Sequence, residues 1–141
     1  MLTWFLVGFV ALIVYLGFIR DSGSPAIEEP DAIEVQDFTP MTLQKYNGKD
    51  DPHVLVAING KVFDVTSGKA HYGPQGSYAA FAGRDASRGL AKHSFDPEML
   101  TPLDQPIDTL SDITESEREA LEQWEEFFSG KYPYCGRLVN P

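Results

Sequence analysis

The sequence predicts an α+β domain, a small sheet with short helices, placed behind an N-terminal transmembrane helix. Three observations predict it. An uncharged apolar run opens the chain, two short apolar segments are joined by Asn59-Gly60, and a capping-box pattern precedes a long amphipathic stretch near the end.

Leu2 to Ile19 is a run of 18 residues without a charge. At ~1.5 Å per residue it covers a bilayer core of about 30 Å, so residues 1–20 read as a membrane anchor. A cleaved signal peptide is the rival reading, with Ser22, Gly23 and Ser24 as a small-residue cleavage site. Against it, no Lys or Arg precedes the run, which also exceeds the usual apolar core of about 7 to 15 residues. Arg20 is the basic residue next to the span, and the positive-inside tendency puts the following domain in the cytosol. Residues 21–36 hold Pro25, Pro30 and five carboxylates, the composition of a flexible acidic stalk. Residues 37–141 then form the folded domain.

Within that domain Thr39 and Pro40 supply an N-cap and a first helical position, and Asn47-Gly48 closes the helix. Val54–Ile58 and Lys61–Val65 flank Asn59-Gly60, whose positive φ angles suit a type I′ turn, so the two segments form a hairpin. Gly68 to Ala91 mixes glycines with short apolar stretches and predicts short helices, with Ser77 and Asp85 as candidate caps. Thr114 and Glu117 have capping-box spacing, and Leu121, Trp124, Phe127 and Phe128 share one helical face as far as Gly130. Tyr134 to Val139 returns as a last strand, leaving a small sheet with helices on one side.

A chain of 141 residues, 43% apolar and 23% charged, supplies one ordinary domain besides the anchor. Eleven Lys and Arg against 21 Asp and Glu give a net charge of -10, which opposes contact with phosphate backbones and excludes nucleic acid as a partner class. A basic protein surface fits better. The single cysteine, Cys135, rules out an internal disulfide.

Chemistry concentrates between His71 and Gly89. Glycines and alanines there let a flat ligand approach the backbone, and Tyr72, Tyr78 and Phe81 offer aromatic walls. On spacing alone half-buried packing, with satisfied hydroxyls, is the stronger reading of the two tyrosines. Gly73, Gly76 and Ser77 lack the lysine of a phosphate loop, and His53, His71 and His93 lack the spacing of ligands on one helix face. No nucleophile motif is present, and nothing marks the chain as an enzyme.

Several segments together carry a resemblance. They are Phe38-Thr39-Pro40, Ala57 to Thr66, Tyr72-Gly73-Pro74 with Gly76 and Tyr78, Phe81 to Ala91, and Lys131-Tyr132. They resemble the membrane-associated progesterone receptor family, and the acidic last helix is most similar to its fungal damage-resistance members. The resemblance implies a cytochrome b5-like haem-binding fold, anchored as a single-pass protein in the endoplasmic reticulum membrane with its domain facing the cytosol. It also implies support or regulation of the cytochromes P450 of sterol synthesis, whose basic surfaces would meet the acidic domain. The His-Pro-Gly-Gly loop of cytochrome b5 itself is absent.

Carried over by position, the resemblance makes Tyr78 the axial ligand of ferric haem b, with Tyr72 beside it and Lys131 and Tyr132 near the haem edge. Tyr132 is the second candidate for the iron. A phenol with a pKa of ~10 ligates as phenolate only with help from ferric iron, to which Lys131, Arg84 or Arg88 could add. One protein ligand leaves the second haem face open, and relatives are thought to dimerise through it. Two rivals stand beside this reading. One is a b5-type electron carrier ligated by His71 and His93; the other is a haem-free module for sterol or protein interaction.

Overall fold

The computed structural model describes residues 32–141. The anchor at 1–20 and residues 21–31 of the stalk lie outside the described residues. Among the described residues no helix is long and apolar enough to cross a membrane.

Strand β1 (Gln36–Phe38) leads through Thr39 into helix α1 (Pro40–Leu43). Thr39 caps it as its residue type predicts, accepting from the backbone N–H of Thr42, with Pro40 in the first turn. The helix is shorter than expected, ending at Leu43 rather than at Asn47-Gly48. The Asn47 side chain accepts from the N–H groups of Lys49 and Asp50 at 2.8 and 3.0 Å, a local turn that replaces helical bonding.

Strands β2 (Leu55–Ile58) and β3 (Lys61–Asp64) form the expected hairpin. Ile58 pairs with Lys61 across a two-residue turn in which Asn59 and Gly60 have φ of 52° and 82°. Helices α2 (Lys69–Tyr72), α3 (Ser87–Lys92) and α4 (Glu115–Lys131) follow, and β4 (Tyr134–Leu138) closes the chain. The sheet order is β1-β4-β3-β2, with β1 parallel to β4 and the other pairs antiparallel.

The capping box of α4 is complete. Glu117 N–H donates to Thr114 Oγ1 at 3.2 Å, and Thr114 N–H donates to Glu117 Oε1 at 2.8 Å. Gly130 does not end this helix but lies within it, and termination comes at Tyr132 just before Pro133.

All four residues of β2 are buried. Period-2 alternation sends Val54, Val56 and Ile58 to one face, with Phe81, Leu90, Leu121, Trp124 and Phe128. Leu55 and Ala57 go to the other, with Phe38, Leu43, Val62, Cys135 and Leu138. The sheet is therefore covered on both sides, not on one. Helix α1 and Ile107 complete the second layer, which the uninterrupted apolar stretch of β2 requires.

The run from Gly83 to Arg88 is scaffold. Gly83 N–H donates to Leu55 O at 2.7 Å, Ala57 N–H to Arg84 O at 3.0 Å and Ala86 N–H to Ala57 O at 2.9 Å, so the segment pairs along the edge of β2. Asp85 does not sit at the N-cap as expected. From one residue earlier it accepts from Ser87 N–H at 3.1 Å and from Ser87 Oγ at 2.6 Å, and Ser87 Oγ in turn accepts from Asn59 N–H at 2.8 Å. Arg88 binds both Asp108 and Asp112, clamping the long connection between α3 and α4.

Candidate functional site

The site is built by a tight loop. Gly73 N–H closes α2 on Lys69 O at 2.8 Å, Gly76 N–H bonds Gly73 O at 2.9 Å, and Tyr78 N–H returns to His71 O at 2.8 Å. A β-carbon at Gly76 would stand 2.1 Å from the His71 carbonyl oxygen, so only glycine lets the loop close this far. Closure brings the Tyr72 and Tyr78 rings to 5.5 Å with 34° between their planes. Ser77 caps nothing: the turn Ala79–Phe81 begins after Tyr78 without a side-chain cap.

The last turn of α4 supplies the other wall. Phe128 lies 5.7 Å from Tyr72 and 5.3 Å from Tyr132, and Tyr132 meets Tyr72 edge to face at 6.3 Å. Tyr132 leaves the helix with extended backbone, which turns its ring inward. Lys131 is exposed, with Nζ 5.8 Å from the centroid of the Tyr132 ring. Thus the structure gathers Tyr72, Tyr78 and Tyr132 and puts Lys131 at their margin.

The three phenols differ in environment. Tyr72 and Tyr132 retain 3% and 4% of their surface, whereas Tyr78 is only half-buried. Burial raises the pKa of all three, pushing Tyr132 up to about 12 and Tyr72 further, the latter also through its tyrosine neighbours. The Tyr132 hydroxyl has no hydrogen-bond partner among the described residues and faces the backbone of Gly68.

Arginines expected to assist the phenol are engaged elsewhere. Arg84 donates to Thr101 O at 2.7 Å, in a cleft lined by Ile107 and Leu138 on the far side of the sheet, and Arg88 is held by its two aspartates. Of the histidines, His71 sits beside Tyr72 at 6.4 Å between rings, while His93 is exposed at the left-handed C-cap of α3. His53 pairs with Asp51. Among the described residues no group of three His, Cys, Asp or Glu side chains could hold a metal ion.

One neighbour escaped sequence reasoning. Phe95 packs against Tyr78 at 5.0 Å and Phe81 at 5.5 Å, although it lies in a segment without periodicity. Its only local signal is a large apolar residue between Ser94 and Asp96-Pro97, and such isolated residues are common on surfaces.

Comparison with known proteins agrees with this architecture. Residues 39–136 match the cytochrome b5-like heme/steroid binding domain. Cytochrome P450 regulator dap1 of Schizosaccharomyces pombe is 46% identical over 138 residues, covering 94% of this chain and 83% of its own. Human membrane-associated progesterone receptor component 2 is 46% identical over 118 residues, and the match covers 84% of this chain but 51% of the relative. An Arabidopsis thaliana protein described as having a cytochrome b5-like fold superposes with a TM-score of 0.65 at 41% identity, covering 81% of this chain and all of that one. These relatives are named as regulators or binding proteins rather than as enzymes. The chain belongs to the cytochrome b5-like heme/steroid-binding domain family, alongside the membrane-associated progesterone receptor components.

Proposed function

We propose that this chain is a non-enzymatic haem protein that regulates membrane cytochromes P450 of sterol synthesis, with ferric haem b ligated by Tyr78. One observation carries the reading: three phenols converge beside a tight glycine loop, and Tyr78 is the least buried of them. The residues fit a flat ligand. Aromatic rings form the walls, and the Tyr132 hydroxyl, buried without a hydrogen-bond partner among the described residues, is a polar atom there that calls for an explanation.

Tyr78 suits ligation better than its neighbours because ionising a phenol costs most where burial is deepest. Tyr72 and Tyr132 serve as walls, the Tyr132 hydroxyl being turned toward Gly68. Lys131, exposed at the margin, is placed to meet an anionic group on the ligand's edge. Ferric iron, when bound, supplies the positive charge that holds the Tyr78 oxygen as phenolate. Arg84 and Arg88 are bonded to Thr101 and to Asp108 and Asp112.

In the same reading residues 1–20 anchor the chain in the endoplasmic reticulum membrane, a stalk runs from residue 21 to strand β1, and the domain faces the cytosol. The chain's net charge of -10 would steer it to basic P450 surfaces, and the name of the fission-yeast relative supports that class of partner. A haem held by one protein ligand would leave its other face for a haem-mediated homodimer.

The test is the absorption and resonance Raman spectrum of the full chain with haemin. A five-coordinate ferric phenolate signature that Tyr78→Phe abolishes and Tyr132→Phe retains is the expected result. A six-coordinate low-spin spectrum lost on changing His71 and His93 to Ala would replace this reading with electron transfer, and a colourless protein would leave a haem-free module.

A further inference from the structure

Four large hydrophobic residues are exposed among the described residues: Val35, Met41, Phe95 and Tyr134. Phe95, 50% exposed, is the one whose ring lies against Tyr78. Its place is fixed from both sides. His93 turns the chain with φ of 53°, and Ser94 N–H then bonds Gly89 O at 2.9 Å. Beyond it, Asp96 N–H donates to Ser94 Oγ at 3.2 Å, and the Asp96 carboxylate accepts from Glu98 N–H at 3.0 Å to cap the turn Pro97–Met99. Arg84 and Arg88 hold the connection further along.

A short polar segment is thus anchored at each end of an aromatic ring that is only half covered. The ring meets Tyr78 edge to face, at 65°, and leans on Phe81 behind it. What distinguishes Phe95 from other exposed apolar residues is this contact with Tyr78, beside which half of its surface is left open.

We propose that Phe95 is a positioning residue of the haem site: it fixes the orientation of the Tyr78 phenol and supplies apolar surface that the bound macrocycle covers. This rests on the haem reading above. The prediction is distinct from that reading, because Phe95 carries no group able to bind iron.

The experiment uses the full chain in detergent, loaded with haemin, as parent, Phe95→Ala and Phe95→Trp. Haem release to excess apomyoglobin, the phenolate Raman bands and the melting of the haem-free protein are measured. Phe95→Ala is expected to release haem about tenfold faster, with shifted or broadened phenolate bands and unchanged haem-free melting. Phe95→Trp, which keeps an aromatic edge, is expected to stay within about twofold of the parent. Unchanged release in Phe95→Ala, or faster release with unaltered phenolate bands, overturns the positioning role alone. A parent without any phenolate signature overturns the haem reading and this inference together.

Discussion

The Tyr132 hydroxyl lies 2.6 Å from the point where a β-carbon on Gly68 would stand. The ring of one site residue is therefore seated on the bare backbone of the turn before α2, with Tyr72 packed beside it. Adding a methyl group there overpacks a buried contact. Gly68→Ala is expected to cost roughly 1–3 kcal/mol in urea denaturation. Tyr132→Phe should relieve part of that cost, since the clash is with the hydroxyl oxygen itself. A double-mutant cycle in which the two changes are purely additive would show that the contact carries no energy.

Tyr132→Phe alone makes an opposite prediction. The hydroxyl is buried without a partner among the described residues, so removing it should stabilise the haem-free chain by about 1 kcal/mol. Destabilisation on thermal melting would mean that the phenol is satisfied in solution.

Arg88 sets a pH dependence. Its hydrogen bonds hold the carboxyls of Asp108 and Asp112 below their ordinary range, and hydrogen bonding to Thr114 and Lys92 does the same for Glu117. Groups depressed in the folded state contribute stability above their unfolded pKa and lose it as pH falls through the folded value. The chain should therefore weaken on acidification below about pH 4. Burial raises the carboxyl of Asp85, which opposes this trend equally in parent and variant. Arg88→Gln should lower stability at pH 7 by roughly 1–2 kcal/mol and flatten the acid limb. Parallel stability curves for the two proteins between about pH 3 and 7 would contradict it.

Gly130 lies inside α4, and a β-carbon there would meet nothing within 4 Å. Gly130→Ala should accordingly stabilise the chain by about 0.5–1 kcal/mol through helix propensity, leaving the haem spectrum unchanged. Chemical denaturation midpoints check the first outcome, and a loss of stability would place the local backbone outside helical geometry.

Elements governed by neighbours in sequence were legible from sequence. Asn59-Gly60 specifies its turn through positive φ, and Thr114 with Glu117 specifies a helix start through hydrogen bonds three residues apart. Misreadings arose where side chains competed with the backbone or where a distant layer was needed. Asn47 ended nothing, because its side chain organised a turn of its own after α1 had stopped. The one-sided sheet failed because Leu55 and Ala57 face a second layer closed by α1 and Ile107.

The family motif from Phe81 to Ala91 was visible as a pattern, yet its job emerged only from its partners. Its backbone pairs with β2, and its arginines bond Thr101, Asp108 and Asp112. By itself the sequence determined the α+β class, the hairpin, the capped last helix and the family, since periodicity, turn chemistry and motif spacing are local properties. Only the tertiary structure decided which phenols are buried, which hydroxyl lacks a partner and that Phe95 stands against Tyr78. Desolvation and ring contact depend on what packs across the fold, and no spacing along the chain encodes that.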